Sequence, residues 1–124
     1  MSKIIATDKA PKAIGPYSQA VCAGGFVYTS GQIAICPESG KVEADTIEAQ
    51  TKQVCENIKE LLLASGSGLD KVVKTTCFLR NMEDFAAFNA VYEQYFVSKP
   101  ARSCVAVREL PKNVLVEIDT VAEL

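Results

Sequence analysis

Apolar residues recur along this chain with two periods, and the switch between them marks out the elements. Between positions 45 and 66, Ile47, Thr51, Val54, Ile58, Leu61 and Leu62 return every three or four residues, which predicts one long helix with a single apolar face. Asp45 is placed to cap its start, Glu48 follows three residues on in the manner of a capping box, and Gly66 and Gly68 end it. A second helix is expected from a cap at Asn81 to about Phe96, with Phe85, Phe88, Tyr92 and Tyr95 or Phe96 as its buried stripe, and Pro100 closes that region. Elsewhere the period is two. Residues 18–23 and 26–30 read as strands joined by a tight turn at Gly24-Gly25, and residues 71–79 as a third strand rich in β-branched residues. Between them, residues 32–44 hold Pro37 and Gly40 and read as a long loop.

The last two alternating segments, residues 102–107 and 114–122, read as a closing β-hairpin with its turn near Pro111. In that register Cys104 faces Glu117, and Arg102 lies diagonally from Glu117 on the same face. Two helices cover only one face of such a sheet. The other face keeps Leu115, Val121 and Ala106, too much apolar surface to leave wet, so a homo-oligomer with packed sheet faces is expected.

Composition narrows the chemistry. The 124 residues fit one domain, residues 1–124, and an apolar fraction of 48% against 23% charged is that of a folded chain. Thirteen Lys and Arg against fifteen Asp and Glu leave a net charge of −2, which argues against a general nucleic-acid binder. Histidine is absent, which removes Ser–His and Cys–His catalysis and imidazole metal sites. The five cysteines are odd in number, scattered and without a Cys-x-x-Cys pair. With no signal peptide and no membrane-spanning run, the expectation is a reduced, cytoplasmic protein without a metal.

Arg102, at the start of a strand among small and apolar neighbours, is a candidate fork for a carboxylate. Glu117 interrupts the apolar run 114–118, where burial would raise its pKa and make it a usable base. Each also has an ordinary reading as a surface residue. Cys104 lies between them without an activating base and reads as a small buried thiol, although Arg102 could lower its pKa. Tyr17 sits on the stiff loop 10–17, where it could close a pocket. Ser30-Gly31 ends a strand where a hydroxyl and a backbone N–H could cradle an anion, and Asn89 is an amide in need of a partner among apolar helix residues.

Taken together, Ile14-Gly-Pro-Tyr-Ser18, Thr29-Ser-Gly-Gln-Ile33, Val73-Lys-Thr-Thr76, Asp84-Phe85 with Asn89 and Tyr92, Pro100-Ala-Arg-Ser-Cys-Val105, Leu110-Pro-Lys and Val116-Glu-Ile118 resemble the Rid family, the reactive intermediate deaminases or YjgF-like proteins. The resemblance implies an α+β, chorismate-mutase-like fold: a six-stranded mixed sheet with two helices on one face, three copies forming a trimeric barrel. It implies hydrolysis of 2-imino acids or their enamine tautomers (2-aminoacrylate, 2-iminobutanoate, 2-iminopropanoate) to 2-keto acids and ammonia, with no cofactor. By the same likeness Arg102 holds the substrate carboxylate, Glu117 orients water and the Cys104 carbonyl faces the reacting nitrogen. Tyr17, Ser30, Gly31 and Asn89 line a cleft between two subunits. Two other readings stand beside it: an endoribonuclease or translation inhibitor, and a ligand-binding module or holdase without turnover. The deaminase reading is staked on Arg102 and Glu117 sharing one small crevice; placement on opposite sides of the sheet, or in separate unconnected places, would end it whatever the family likeness.

Overall fold

In the computed structural model, which describes residues 1–124, the alternating segments become six strands. They are β1 (Lys3–Ile5), β2 (Ala20–Ala23), β3 (Phe26–Thr29), β4 (Val72–Leu79), β5 (Ala101–Ala106) and β6 (Val116–Glu123). The two amphipathic stretches become α1 (Ile47–Ala64) and α2 (Phe85–Tyr95). All six strands join in one sheet in the order β1-β2-β3-β6-β4-β5. Every pairing is antiparallel except β4 with β5, so the sheet is mixed and the architecture α+β.

The β2–β3 hairpin turns where expected. Gly24 and Gly25 both have positive φ, 60° and 85°, which suits a two-residue hairpin turn that side chains with a Cβ resist. The first helix also forms as its apolar stripe predicts, with Ile47, Thr51, Val54, Ile58, Leu61 and Leu62 all buried. Its cap is Thr46, not Asp45. The Thr46 hydroxyl accepts the Ala49 N–H at 3.2 Å, so Glu48 has no capping-box role. The second helix starts later than expected, because a 3₁₀ turn (Met82–Asp84) intervenes and Asn81 makes no side-chain cap. Strand β1 was not anticipated; it is three residues long and alternates too briefly to register.

The closing hairpin is not formed. Strand β5 lies at the sheet edge and runs parallel to β4, which separates it from β6. Cys77 of β4 is the neighbour of both Cys104 and Ile118, and Glu117 lies opposite Phe78, not Cys104. The physical reason is the connections. Helix α2 supplies the long crossover that a parallel pair needs, and the stretch between β5 and β6 is long enough to pass over the end of β4. Lys112 and Asn113 take left-handed backbone in that passage, with φ of 54° and 56°.

Both helices pack on one face of the sheet. That side buries Val27, Cys77, Leu79, Val116, Ile118 and Ala122 against Val54, Cys55, Ile58 and Leu62 of α1 and Phe88, Tyr92 and Phe96 of α2. No helix covers the opposite face. Ile4, Val21, Tyr28 and Val121 form one row across it, and Ile4 and Tyr28 remain 70% and 47% exposed. Ala106, expected there, belongs to the covered side beside Leu79; Val105 takes its place on the open face, 46% exposed. No helix is long and apolar enough to cross a membrane.

Candidate active site

The candidate residues fall into two groups, one on each side of the sheet. Side chains alternate along a strand, and strand neighbours in register share a face. Arg102 is in register with Thr75, and Thr75 with Thr120, both buried under the helices. Arg102 therefore points to the helix side. Glu117 adjoins buried Ile118 and points to the open side. The same-face placement of Arg102 and Glu117 is thus corrected, and a complete crevice within one chain is ruled out. Within one chain the condition set for the deaminase reading therefore fails, and a site that used both groups would have to draw them from two chains.

The arginine group is built by α2 and β5. Phe85, Phe88, Asn89 and Tyr92 lie on one side of α2, three or four residues apart, and all face Arg102. The guanidinium carbon stands 4.8 Å from the Tyr92 ring centroid, 5.4 Å from Phe85 and 5.9 Å from Phe88. Arg102 Nη1 donates to Asn89 Oδ1 at 2.7 Å, so the expected partner for Asn89 is this arginine. No carboxylate pairs with Arg102; the chain's single salt bridge joins Lys59 and Glu56 at 3.2 Å on α1. An open cleft of about 650 Å³, lined by Asn89, Tyr92, Glu93, Lys99 and Arg102 among others, leads to it.

Cys104 lies two residues further along β5, on the same side as Arg102. Burial pushes its thiol pKa up, and the nearby Arg102 charge only partly opposes this, so the neutral thiol read from the sequence is favoured. Its backbone is placed differently. Val107 N–H donates to the Leu79 carbonyl at 2.9 Å, and peptide groups alternate along a strand. The carbonyl of Cys104 therefore faces the unpaired edge of the sheet, free to accept.

The carboxylate group is built by β6 and the two loops that flank it. Past β3, Gln32 N–H donates to the Ile118 carbonyl at 2.8 Å and Ile118 N–H to the Gln32 carbonyl at 3.1 Å. Between Tyr28↔Val121 and Gln32↔Ile118 the first strand advances four residues and the second three, which is a bulge at Ser30–Gly31. It brings Gly31 against Glu117. A Cβ on Gly31 would collide with the Glu117 carboxylate and would stand 2.9 Å from its Cδ, so any larger residue here would displace the Glu117 side chain. Tyr17, Gly31, Gln32, Ile33, Ile35, Pro111 and Glu117 line a pocket of about 190 Å³. Burial raises the Glu117 pKa from its ordinary 4.5, and the neighbouring Asp119 charge adds to the rise. Ser30 is not the anion cradle expected. Its hydroxyl donates to the Ser18 carbonyl at 2.5 Å and its N–H to the Gln19 carbonyl at 2.9 Å, so both donors are engaged.

A model of the endoribonuclease L-PSP family, the YjgF/RutC/Rid group, matches residues 7–124. The chain belongs to that family. Among Rid-group relatives, a Lactococcus lactis protein named as a regulator, AldR, is 53% identical over 123 residues, 98% of each chain. The 2-iminobutanoate/2-iminopropanoate deaminase of Escherichia coli K12 is 48% identical over 126 residues, also 98% of each. A solved Thermotoga maritima structure, named as an endoribonuclease, superposes with a TM-score of 0.97 at 50% identity, covering 100% of this chain and 98% of the other. At similar identity, three relatives carry three different activity names.

Residues of α1 that hold the site's loops were missed. Asn57, 1% exposed, donates to the carbonyls of Ile33 and Ile35 at 3.2 and 2.9 Å and accepts from Gln53 at 2.9 Å. Gln50, 5% exposed, donates to the Ala44 carbonyl and accepts the Leu115 N–H at 2.8 Å. Buried loop backbone needs such partners. Their signal was present: Gln50, Gln53 and Asn57 recur at helical spacing along the edge of the apolar stripe.

The raised Glu117 pKa has a sign that can be checked. Between 4.5 and the raised value the folded chain holds this proton more tightly than the unfolded one, so stability falls as pH rises through that window. Glu117→Gln should raise Tm above wild type at about pH 7, with the difference shrinking at about pH 4, by calorimetry. A variant no more stable than wild type near neutrality contradicts the cost assigned to this carboxylate.

Proposed function

We propose that the protein hydrolyses 2-imino acids and their enamine tautomers, such as 2-aminoacrylate, 2-iminobutanoate and 2-iminopropanoate, to 2-keto acids and ammonia. The observation that carries this reading is Arg102, a half-buried guanidinium backed by aromatic rings with no acid partner in its own chain. Such a group is a receptor for an anion, and its planar fork suits a carboxylate. The name of the Escherichia coli relative points to the same substrates.

The complete site is proposed to form between two copies. One supplies Arg102, Asn89 and the Cys104 carbonyl, and the other supplies Tyr17, Gly31 and Glu117. A homotrimer with the open sheet faces turned inward would cover Ile4, Tyr28 and Val105 and give every chain both kinds of neighbour.

An imine carbon is already electrophilic, so the protein has to bind, orient and move protons. Arg102 holds the substrate carboxylate, a charge-assisted contact of roughly 1.5–3 kcal/mol. Glu117, its pKa raised by burial, positions a water molecule against the imine carbon and takes its proton, a contribution of order 10²–10⁴ in rate. Water oxygen bonds to that carbon as the proton taken by Glu117 is passed to the nitrogen, giving a carbinolamine; its hydroxyl proton then follows to the nitrogen, the C=O bond forms as the C–N bond breaks, and ammonia leaves from beside the Cys104 carbonyl. The ring of Tyr17, 52% exposed beside Glu117, closes the pocket.

The test is a coupled assay in which a threonine dehydratase supplies the imine and keto-acid release is followed. Arg102→Lys should lose most activity, because an ammonium cannot form the fork; unchanged hydrolysis refutes the assignment. Cys104→Ser should keep substantial activity, because only the backbone carbonyl is used, and complete loss in a folded variant would make the thiol a participant. Binding of 2-keto acids without any turnover would favour a sensor, and RNA cleavage without imine hydrolysis a nuclease.

A further inference from the structure

The aromatic stripe of α2 does more than fill the core. Of the three rings facing Arg102, Tyr92 is nearest, 4.8 Å from the guanidinium carbon, and it alone is tethered at its far end. Its hydroxyl shares a 2.7 Å hydrogen bond with Thr75 Oγ1. Thr75 is wholly buried and is the β4 residue in register with Arg102 itself. Tyr92 also stacks on Phe96, with centroids 4.4 Å apart and an interplanar angle of 28°. The ring is therefore held by its hydroxyl and by Phe96, and it presents its π surface to the cation.

We propose that Thr75 and Tyr92 are positioning residues for Arg102. Together they fix the plane of the guanidinium, so that the fork meets a carboxylate edge-on. Two facts make the pair more than core packing. The tether joins the strand beside Arg102 to the helix that carries its only hydrogen-bond acceptor, Asn89. And the rings stand where water or a counter-ion would otherwise solvate the guanidinium, which leaves its N–H edge as the side open to a ligand. The inference rests on the reading of Arg102 as the carboxylate receptor.

The experiment measures binding of 2-oxobutanoate by calorimetry, together with kcat and KM for imine hydrolysis. Its variants are Tyr92→Phe, Thr75→Val, their double variant and Tyr92→Leu. Each single change at the tether should weaken binding and raise KM about threefold to tenfold with kcat changed less than about twofold. The double variant should bind as weakly as either single variant, because the tether is absent in all three; recovery to wild-type affinity would assign the defect to one unpaired buried hydroxyl and overturn the proposal. Tyr92→Leu, which removes the ring, should weaken binding at least as much as Tyr92→Phe. Ile58→Val serves as the stability control, and a core defect alone predicts that it weakens binding in step with its lower Tm. Wild-type affinity in folded Tyr92→Leu, or equal weakening in the control at matched Tm, overturns the proposal. If Arg102→Lys abolishes binding while the tether variants do not affect it, only this inference fails. If Arg102→Lys binds normally, the receptor reading fails with it.

Discussion

A strand sends successive side chains to opposite faces, and this constraint governs the candidate site. Arg102 shares a row with Thr75 and Thr120 under the helices, while Glu117 stands one residue from Ile118 and so faces the other way. No rotamer change carries either side chain through the sheet. A chemistry that uses both groups must draw them from different chains. The open sheet face, with its unpartnered apolar row, offers the surface on which such chains would meet.

The two halves are electrostatically incomplete in complementary ways. Arg102 is a cation placed against rings and one neutral amide, with no counter-charge. Glu117 is an acid in a small pocket where burial and Asp119 both oppose its ionised form. The second arrangement costs stability in an isolated chain near neutral pH. In the proposed reaction a 2-imino acid would meet the first through its carboxylate, and its attacking water would use the second as a proton acceptor. Loops around the acid are held from behind by Asn57 and Gln50, so the pocket's shape is tied to the core of α1 rather than left to the loops themselves.

Local pattern carried most of the elements. The stripe from Ile47 to Leu62 and the Gly24-Gly25 turn can be read directly, because helix faces and tight turns depend on residues near in sequence. The partner of β5 could not be read that way. Adjacent strands in sequence usually pair, but nothing local in residues 101–106 distinguishes a parallel edge beside β4 from a hairpin arm beside β6. That one choice reversed the face of Arg102 relative to Glu117. Family likeness pointed to the site positions, and the structure adds their surroundings: the rings behind Arg102, the bulge that seats Gly31, and donors on Ser30 that are already engaged.

The central claim is that each working site takes its arginine from one chain and its acid from another. Mixing chains tests it most directly. Arg102→Lys and Glu117→Gln chains, each inactive alone, are unfolded together and refolded in equal amounts, and imine hydrolysis is measured. In a randomly assembled trimer every mixed assembly contains one intact site, so the account predicts recovery of about a quarter of wild-type activity. No recovery from properly assembled mixtures would contradict it, since sites confined to single chains would all remain defective.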